Sequence, residues 1–247
     1  MRKRSLPLRT KGTETQVVRA GQPRILVIDV GGTNVKVRVT GMKEALKIPS
    51  GLTLTPQQMV REVKHALRDT SYDVVSIGLP APVVHGHPIS EPHNLGPGWV
   101  GFNFVRALGR PVKIINDAAM QALGSYKRGS MLFLGLGTGL GSAMIVDGVL
   151  EPMELAHLAY KHGHTYEDYV GLRGLQRMGR KKWERQVGKV VEQLQRALEP
   201  QEIVLGGGNS KKLKKLPRGT RLGDNRMAFL GGCKLWTAEH DPRRFRR

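Results

Sequence analysis

The 247-residue chain has a single cysteine, Cys233. With no second thiol, an intramolecular disulfide and a thiolate-rich zinc site are both excluded. Cys233 reads as a small packed side chain rather than a nucleophile. Long apolar runs are missing too. No stretch approaches the length of a membrane span, and the opening MRKRSLPLRTKGTETQVVRAGQPR lacks the apolar core of a secretory signal. The cytoplasm is the expected compartment, and no membrane is called for. Acidic residues are scarce: 20 Asp and Glu stand against 40 Lys and Arg, a net charge of +20. Setting aside the basic ends, 1–24 and 241–247, still leaves 29 bases against 18 acids. The excess gathers in RGLQRMGRKKWERQVGK (173–189) and KKLKKLPRGTR (211–221). Such a surface suits a polyanion, whether nucleic acid, an acidic membrane surface or a phosphate polymer, or else it is a solvated basic face.

Residues 1–22 are polar, basic and aperiodic and are expected to form a flexible tail. RILVIDV (24–30) and NVKVRVT (34–40) read as strands around a Gly31–Gly32–Thr33 turn. TPQQMVREVKHALRDT (55–70) carries a helix start at Thr55–Pro56 and one apolar face. DVVSIGLPAP (73–82) and KIIND (113–117) read as buried strands, and MLFLGLGTGLGSAMIVDG (131–148) repeats the opening strand, glycine turn, strand pattern. A basic helix over about 181–198, the strand EIVLGGG and a closing helix over about 224–236 follow. Strand pairs mixed with helices, each half opening on a β-hairpin, predict an α/β protein of two similar halves, 23–117 and 118–247.

The glycine turns carry the chemistry. Without a Cβ, the backbone N–H groups of such a turn can approach phosphate oxygens closely. DVGGTNVK, GLGTGLG (135–141) and VLGGG (204–208) each end a strand in this way. None has the GxxxxGK[ST] spacing of a Walker loop or the helix context of a dinucleotide-binding fingerprint.

The order DVGGT, GLPAPV with NLGPGW, IINDA, GLGTGLG, MELAH and VLGGG resembles the sugar kinases of the ROK family, over roughly residues 25–236. The details ELAHL, TYEDYVG, GGGN and LGDN with FLGG are most similar to the polyphosphate glucokinase branch. The resemblance implies a two-lobed actin-like ATPase (ribonuclease H-like) fold. It also implies phosphoryl transfer from inorganic polyphosphate or ATP to glucose or a related hexose, and leaves the assembly state open between monomer and homodimer. The donor would be gripped by Asp29, Gly31, Gly32, Thr33 and Asn34, by Gly137, Thr138 and Gly139, and by Gly206, Gly207 and Gly208. Asp29 would hold Mg²⁺, through water. Asp117 would be the base. Asn94, Asn116, Asp117, Glu154, His157 and Glu167 would bind the sugar. A side chain at Gly32 or Gly139 is expected to weaken the donor more than the sugar. Lys36, two residues past the turn, reads as an outward strand lysine, with a contact to the donor as the alternative.

Two departures from the family pattern stand out. Ala156 replaces the usual glycine of ELGH, and the segment after His157 has no cysteine, so zinc is not expected and His162 and His164 read as surface residues. A repressor of the same family would need an N-terminal helix-turn-helix, and residues 1–24 show no helical apolar pattern.

Overall fold

The computed structural model describes residues 22–237. The basic end at 241–247 and all but the last residue of the expected tail lie outside the described residues. Among the described residues no helix is long and apolar enough to cross a membrane.

The first sheet grows from β1 (Ile25–Val30), a run buried from end to end. Its hairpin partner β2 (Asn34–Val39) alternates buried valines with half-buried polar residues, as a strand with one packed face should. An edge strand, β3 (Leu46–Pro49), follows. Helix α1 (Pro56–Ala66) starts on a capping box, in which the Thr55 side chain accepts from the Gln58 N–H and the Gln58 side chain from the Thr55 N–H, with proline just inside the start. It buries Met59, Val60 and Val63. Next come β4 (Val74–Leu79), the small hairpin β5 (Val83–Val84) and β6 (His87–Pro88), α2 (Phe104–Leu108) and β7 (Val112–Asn116). The sheet order is β3-β2-β1-β4-β7.

Helix α3 (Asp117–Ser125) leads to the second sheet, built from β8 (Ser130–Leu136), β9 (Leu140–Val146) and β10 (Val149–Met153). A short hairpin, β11 (Ala159–Lys161) and β12 (His164–Thr165), precedes three helices: α4 (Tyr166–Val170), α5 (Leu172–Met178) and the long basic α6 (Arg180–Leu198). The chain then runs through β13 (Glu202–Gly206), β14 (Thr220–Leu222) and α7 (Met227–Lys234). The order is β10-β9-β8-β13-β14. Each sheet thus has an antiparallel three-strand meander continued by two parallel strands. The same plan is laid down twice, with a glycine turn in the same place each time.

Helices α3 and α7 lie between the two sheets. They cross so closely that a Cβ on Gly124 would run into the Met227 carbonyl, and one on Gly231 into the Met120 carbonyl. Helix α7 returns to the first sheet: the Ser76 hydroxyl donates to the Gly232 carbonyl (2.6 Å) and accepts from the Trp236 indole N–H (2.9 Å). Cys233, on the same helix, is a protonated thiol, its pKa pushed up to about 11 by burial.

Candidate active site

The first glycine turn is held from beneath. Its Gly31 N–H donates to the Asn34 carbonyl (3.1 Å), closing the bend. From the end of β3, the Ser50 N–H donates to the Thr33 carbonyl (3.1 Å) and the Ser50 hydroxyl to the Gly31 carbonyl. Asn94 leans on the turn, since a Cβ on Gly32 would sit 3.1 Å from the Asn94 Cβ. Its loop is pinned by Glu91, whose carboxylate accepts from the N–H groups of Trp99 (3.0 Å) and Val100 (3.2 Å). Asp29, only 4% exposed, is the last but one residue of β1, just before the turn. Lys36 is its register partner across the hairpin, so strand pairing puts the two side chains on one face. The Lys36 Nζ lies 3.1 Å from the Asp29 Oδ2. Lys36 is therefore no outward lysine but the counter-charge of a buried carboxylate.

The second and third turns support each other. The Asn209 N–H donates to the Leu136 carbonyl (2.9 Å) and its side-chain amide to the Gly137 carbonyl (2.8 Å). Gly207 has φ +79, a left-handed conformation that favours glycine, and a Cβ there would overlap the Leu136 carbonyl. The Leu172 N–H takes the Thr138 carbonyl (3.1 Å). Among the described residues, the N–H groups of Gly32, Thr33, Thr138 and Gly139 donate to no protein acceptor. The turns keep their donors for something else.

Asp117 opens α3, capped by its neighbour. The Asn116 side-chain oxygen accepts from the N–H groups of Ala118 (2.9 Å) and Ala119 (3.2 Å), while its amide donates to the Ala81 carbonyl (3.2 Å). Asn116, expected at the sugar, thus has one N–H left over; its evident work is to aim Asp117. Burial, reinforced by the nearby Asp29 charge, pushes the Asp117 pKa up to about 7, against the opposing pull of the Ala118 N–H and Lys36. A carboxyl tuned to that range suits general base work near neutral pH. After β10 of the second sheet, Glu154 and His157 face each other across a 3₁₀ turn at 3.6 Å, with Ala156 buried between them. Burial raises the Glu154 pKa; His157 opposes that shift and Glu167 adds to it. The Glu167 carboxylate accepts from the Leu140 N–H (3.1 Å), next to Gly139 of the second glycine turn, and lies 3.6 Å from Arg173.

The raised Asp117 pKa has opposite effects on rate and stability. With Asp117 as base, kcat/KM falls about tenfold per pH unit below about 7. The folded state holds this proton more tightly than the unfolded chain, so the associated stability is present below about pH 4 and is lost as pH rises to about 7. A pH–rate profile and urea unfolding at several pH values check both limbs. The stability slope should vanish in Asp117→Asn.

Two repeated α/β sheets, each with a glycine turn at its opening hairpin and acidic residues between them, define a protein of the actin-like class. The chain belongs to the ROK family, whose model matches residues 25–174, more than half of its length. A polyphosphate glucokinase of Mycobacterium tuberculosis is 26% identical over 209 residues, covering 76% of this chain and 78% of that protein. Among solved structures, the inorganic polyphosphate/ATP-glucomannokinase from Arthrobacter sp. strain KM superposes with a TM-score of 0.74 at 25% identity, covering 86% of this chain and 97% of that one. A ROK family glucokinase from Streptomyces griseus, solved with glucose and AMPPNP, shares the fold at 16% identity and a TM-score of 0.68, covering 86% and 98%.

Proposed function

We propose that this chain is a hexose kinase that transfers a phosphoryl group from inorganic polyphosphate, with ATP as a second donor, to the 6-hydroxyl of glucose. The observation that carries the reading is two glycine turns with unpaired N–H groups, the first just past Asp29, whose charge reaches Asp117, and the second ending at Gly141 against Ala118 at the start of α3. In the proposed reaction Asp117 takes the proton of the 6-hydroxyl. The hydroxyl oxygen bonds to the terminal phosphorus, and the bridging P–O bond breaks to release a donor shorter by one phosphate. Asn94, Glu154, His157 and Glu167 hold the sugar, while Gly31 to Asn34, Gly137 to Gly139 and Gly206 to Gly208 hold the donor. The lobes are read as the two ribonuclease H-like halves that close over the sugar, and a homodimer is the assembly to look for by light scattering.

The acidic residues fit a hard cation brought in with phosphate rather than a resident metal. Among the described residues no group of three His, Cys, Asp or Glu could hold an ion unaided, and Mg²⁺ commonly binds through one or two carboxylates, water and substrate phosphates. Asp29 would hold it, and when bound it supplies charge neutralisation at the donor oxygens.

Polyphosphate is favoured as donor by the names of the relatives above and by the placement of charge. Directly after the third glycine turn, Lys211, Lys212, Lys214 and Lys215 are exposed. The Lys214 N–H donates to Glu184 of α6 (2.9 Å), which fastens this loop beside exposed Arg180, Lys181, Lys182, Arg185 and Lys189. The first turn of α6 carries no acid. A chain bearing about one charge per phosphate can extend from the turns along this surface, where ATP cannot reach. Replacing Lys211, Lys212, Lys214 and Lys215 with glutamine is expected to raise KM for long polyphosphate and flatten its salt dependence, leaving ATP kinetics within about twofold. Equal losses with both donors would refute polyphosphate as the preferred donor. Product formation with a hexose panel and either donor tests the kinase reading itself.

A further inference from the structure

A glycine turn attracts an anion only while its N–H groups face the ligand and its carbonyls face away. Peptides flanked by glycine rotate with little steric resistance, because glycine accepts either sign of φ. A single flipped peptide would present an oxygen to the phosphate and turn attraction into repulsion. Something must therefore hold the carbonyls, and in both turns the structure shows donors, among the described residues, on all of them but that of Gly32. In the second turn, Leu136 and Gly137 are taken by Asn209, Thr138 by the Leu172 N–H, and Gly139 by the Gly137 N–H. In the first, Thr33 is taken by the Ser50 N–H, Asn34 by the Gly31 N–H, and Gly31 by the Ser50 hydroxyl. Most of these holds are backbone to backbone. At Gly31 and Gly137 the hold is a side chain, and among the described residues no other donor reaches either oxygen.

We infer that Ser50 and Asn209 are positioning residues that lock the peptide planes of the two phosphate turns, one in each lobe, so that the anion site exists before the donor arrives. This rests on the reading that these turns receive the donor phosphates. The two residues reach their carbonyls from 19 and 72 positions away in sequence, from outside the turns they hold. Asn209 is 7% exposed, so its amide has little water to fall back on. Removing either donor leaves a carbonyl free to swing toward the phosphate. It removes no group that touches sugar or donor.

Equilibrium binding of tripolyphosphate to the full-length protein separates this role from a general structural one, because it needs no turnover. Ser50→Ala and Asn209→Leu should each weaken tripolyphosphate by about 5- to 30-fold, the usual consequence of losing one hydrogen bond to a group that must stay in place. Glucose binding should stay within about twofold. Ser50→Thr, which keeps the hydroxyl, should restore the affinity. The double variant should bind tripolyphosphate more weakly than either single variant. In turnover, donor KM should rise while kcat at saturating donor holds. Tripolyphosphate affinity within twofold of wild type in folded Ser50→Ala would overturn the inference, as would equal weakening of glucose and tripolyphosphate. If Asn209→Leu fails to fold, the Ser50→Ala and Ser50→Thr pair decides alone. Wild type that binds no tripolyphosphate would remove the donor-turn reading and this inference with it. Wild type and variants that bind alike would remove only the inference.

Discussion

Replacing Asp117 with asparagine is expected to leave a folded protein that still binds hexose but turns over about 10²–10⁴ times more slowly. The fold should survive because asparagine keeps the oxygen that accepts from the Ala118 N–H (2.8 Å), and the cap on α3 comes from Asn116. What is lost is the group that takes the proton. The carboxyl's neighbours raise its pKa to about 7, so a neutral amide changes the local charge little at low pH and removes a carboxylate only where it would be ionised. The loss in rate should therefore be greatest above neutrality and shrink as the pH is lowered. Turnover within a few-fold of wild type at pH 8 would show that Asp117 is not the base.

Gly137→Val is expected to raise donor KM by about tenfold or more, roughly 1.4 kcal/mol of lost binding, with sugar affinity unchanged. Gly137 is the clean probe among the turn glycines. A Cβ there meets nothing within 4 Å and its φ lies outside the left-handed region, so a side chain enters open space without strain. The sequence points to Gly32 and Gly139 as donor probes, and the structure corrects that. A side chain on Gly32 presses on Asn94, and one on Gly139 runs into the Glu167 carboxylate. Either substitution moves a residue read as a sugar ligand, so donor and sugar would weaken together. A folded Gly137→Val variant with unchanged donor KM would place the donor elsewhere.

These contrasts mark how far the sequence could be read. The hairpins around Gly31–Gly32 and Gly137–Gly139, the capped α1 and the amphipathic α6 were legible, since each rests on local signals: period, cap, turn residue. Helix α3 was not. Its DAAMQALGS is short and nearly all buried, and nothing in it alternates between a wet and a dry face. The edge strand β3 is four residues long, and what makes it matter is Ser50 at its end, whose partner lies 19 residues back. Lys36 was misread because facing inward or outward is decided by the strand register, and the hairpin pairs it with Asp29. Asn116 adjoins Asp117 as the motif shows, yet its side-chain oxygen is engaged in capping α3 and its amide in a bond to Ala81, demands visible only once a helix is known to start there. Asn209 follows a glycine triplet in plain view. Its use depends on the second turn lying next to the third, which is a fact of sheet order.

The central claim is phosphoryl transfer to a hexose hydroxyl, and the most direct measurement is ³¹P NMR of the full-length protein with glucose, Mg²⁺ and long-chain polyphosphate. The account predicts a growing phosphomonoester signal from a hexose 6-phosphate, matched by loss of terminal polyphosphate groups and absent in Asp117→Asn. Release of inorganic phosphate alone, or no phosphomonoester from any hexose with either polyphosphate or ATP, would contradict it.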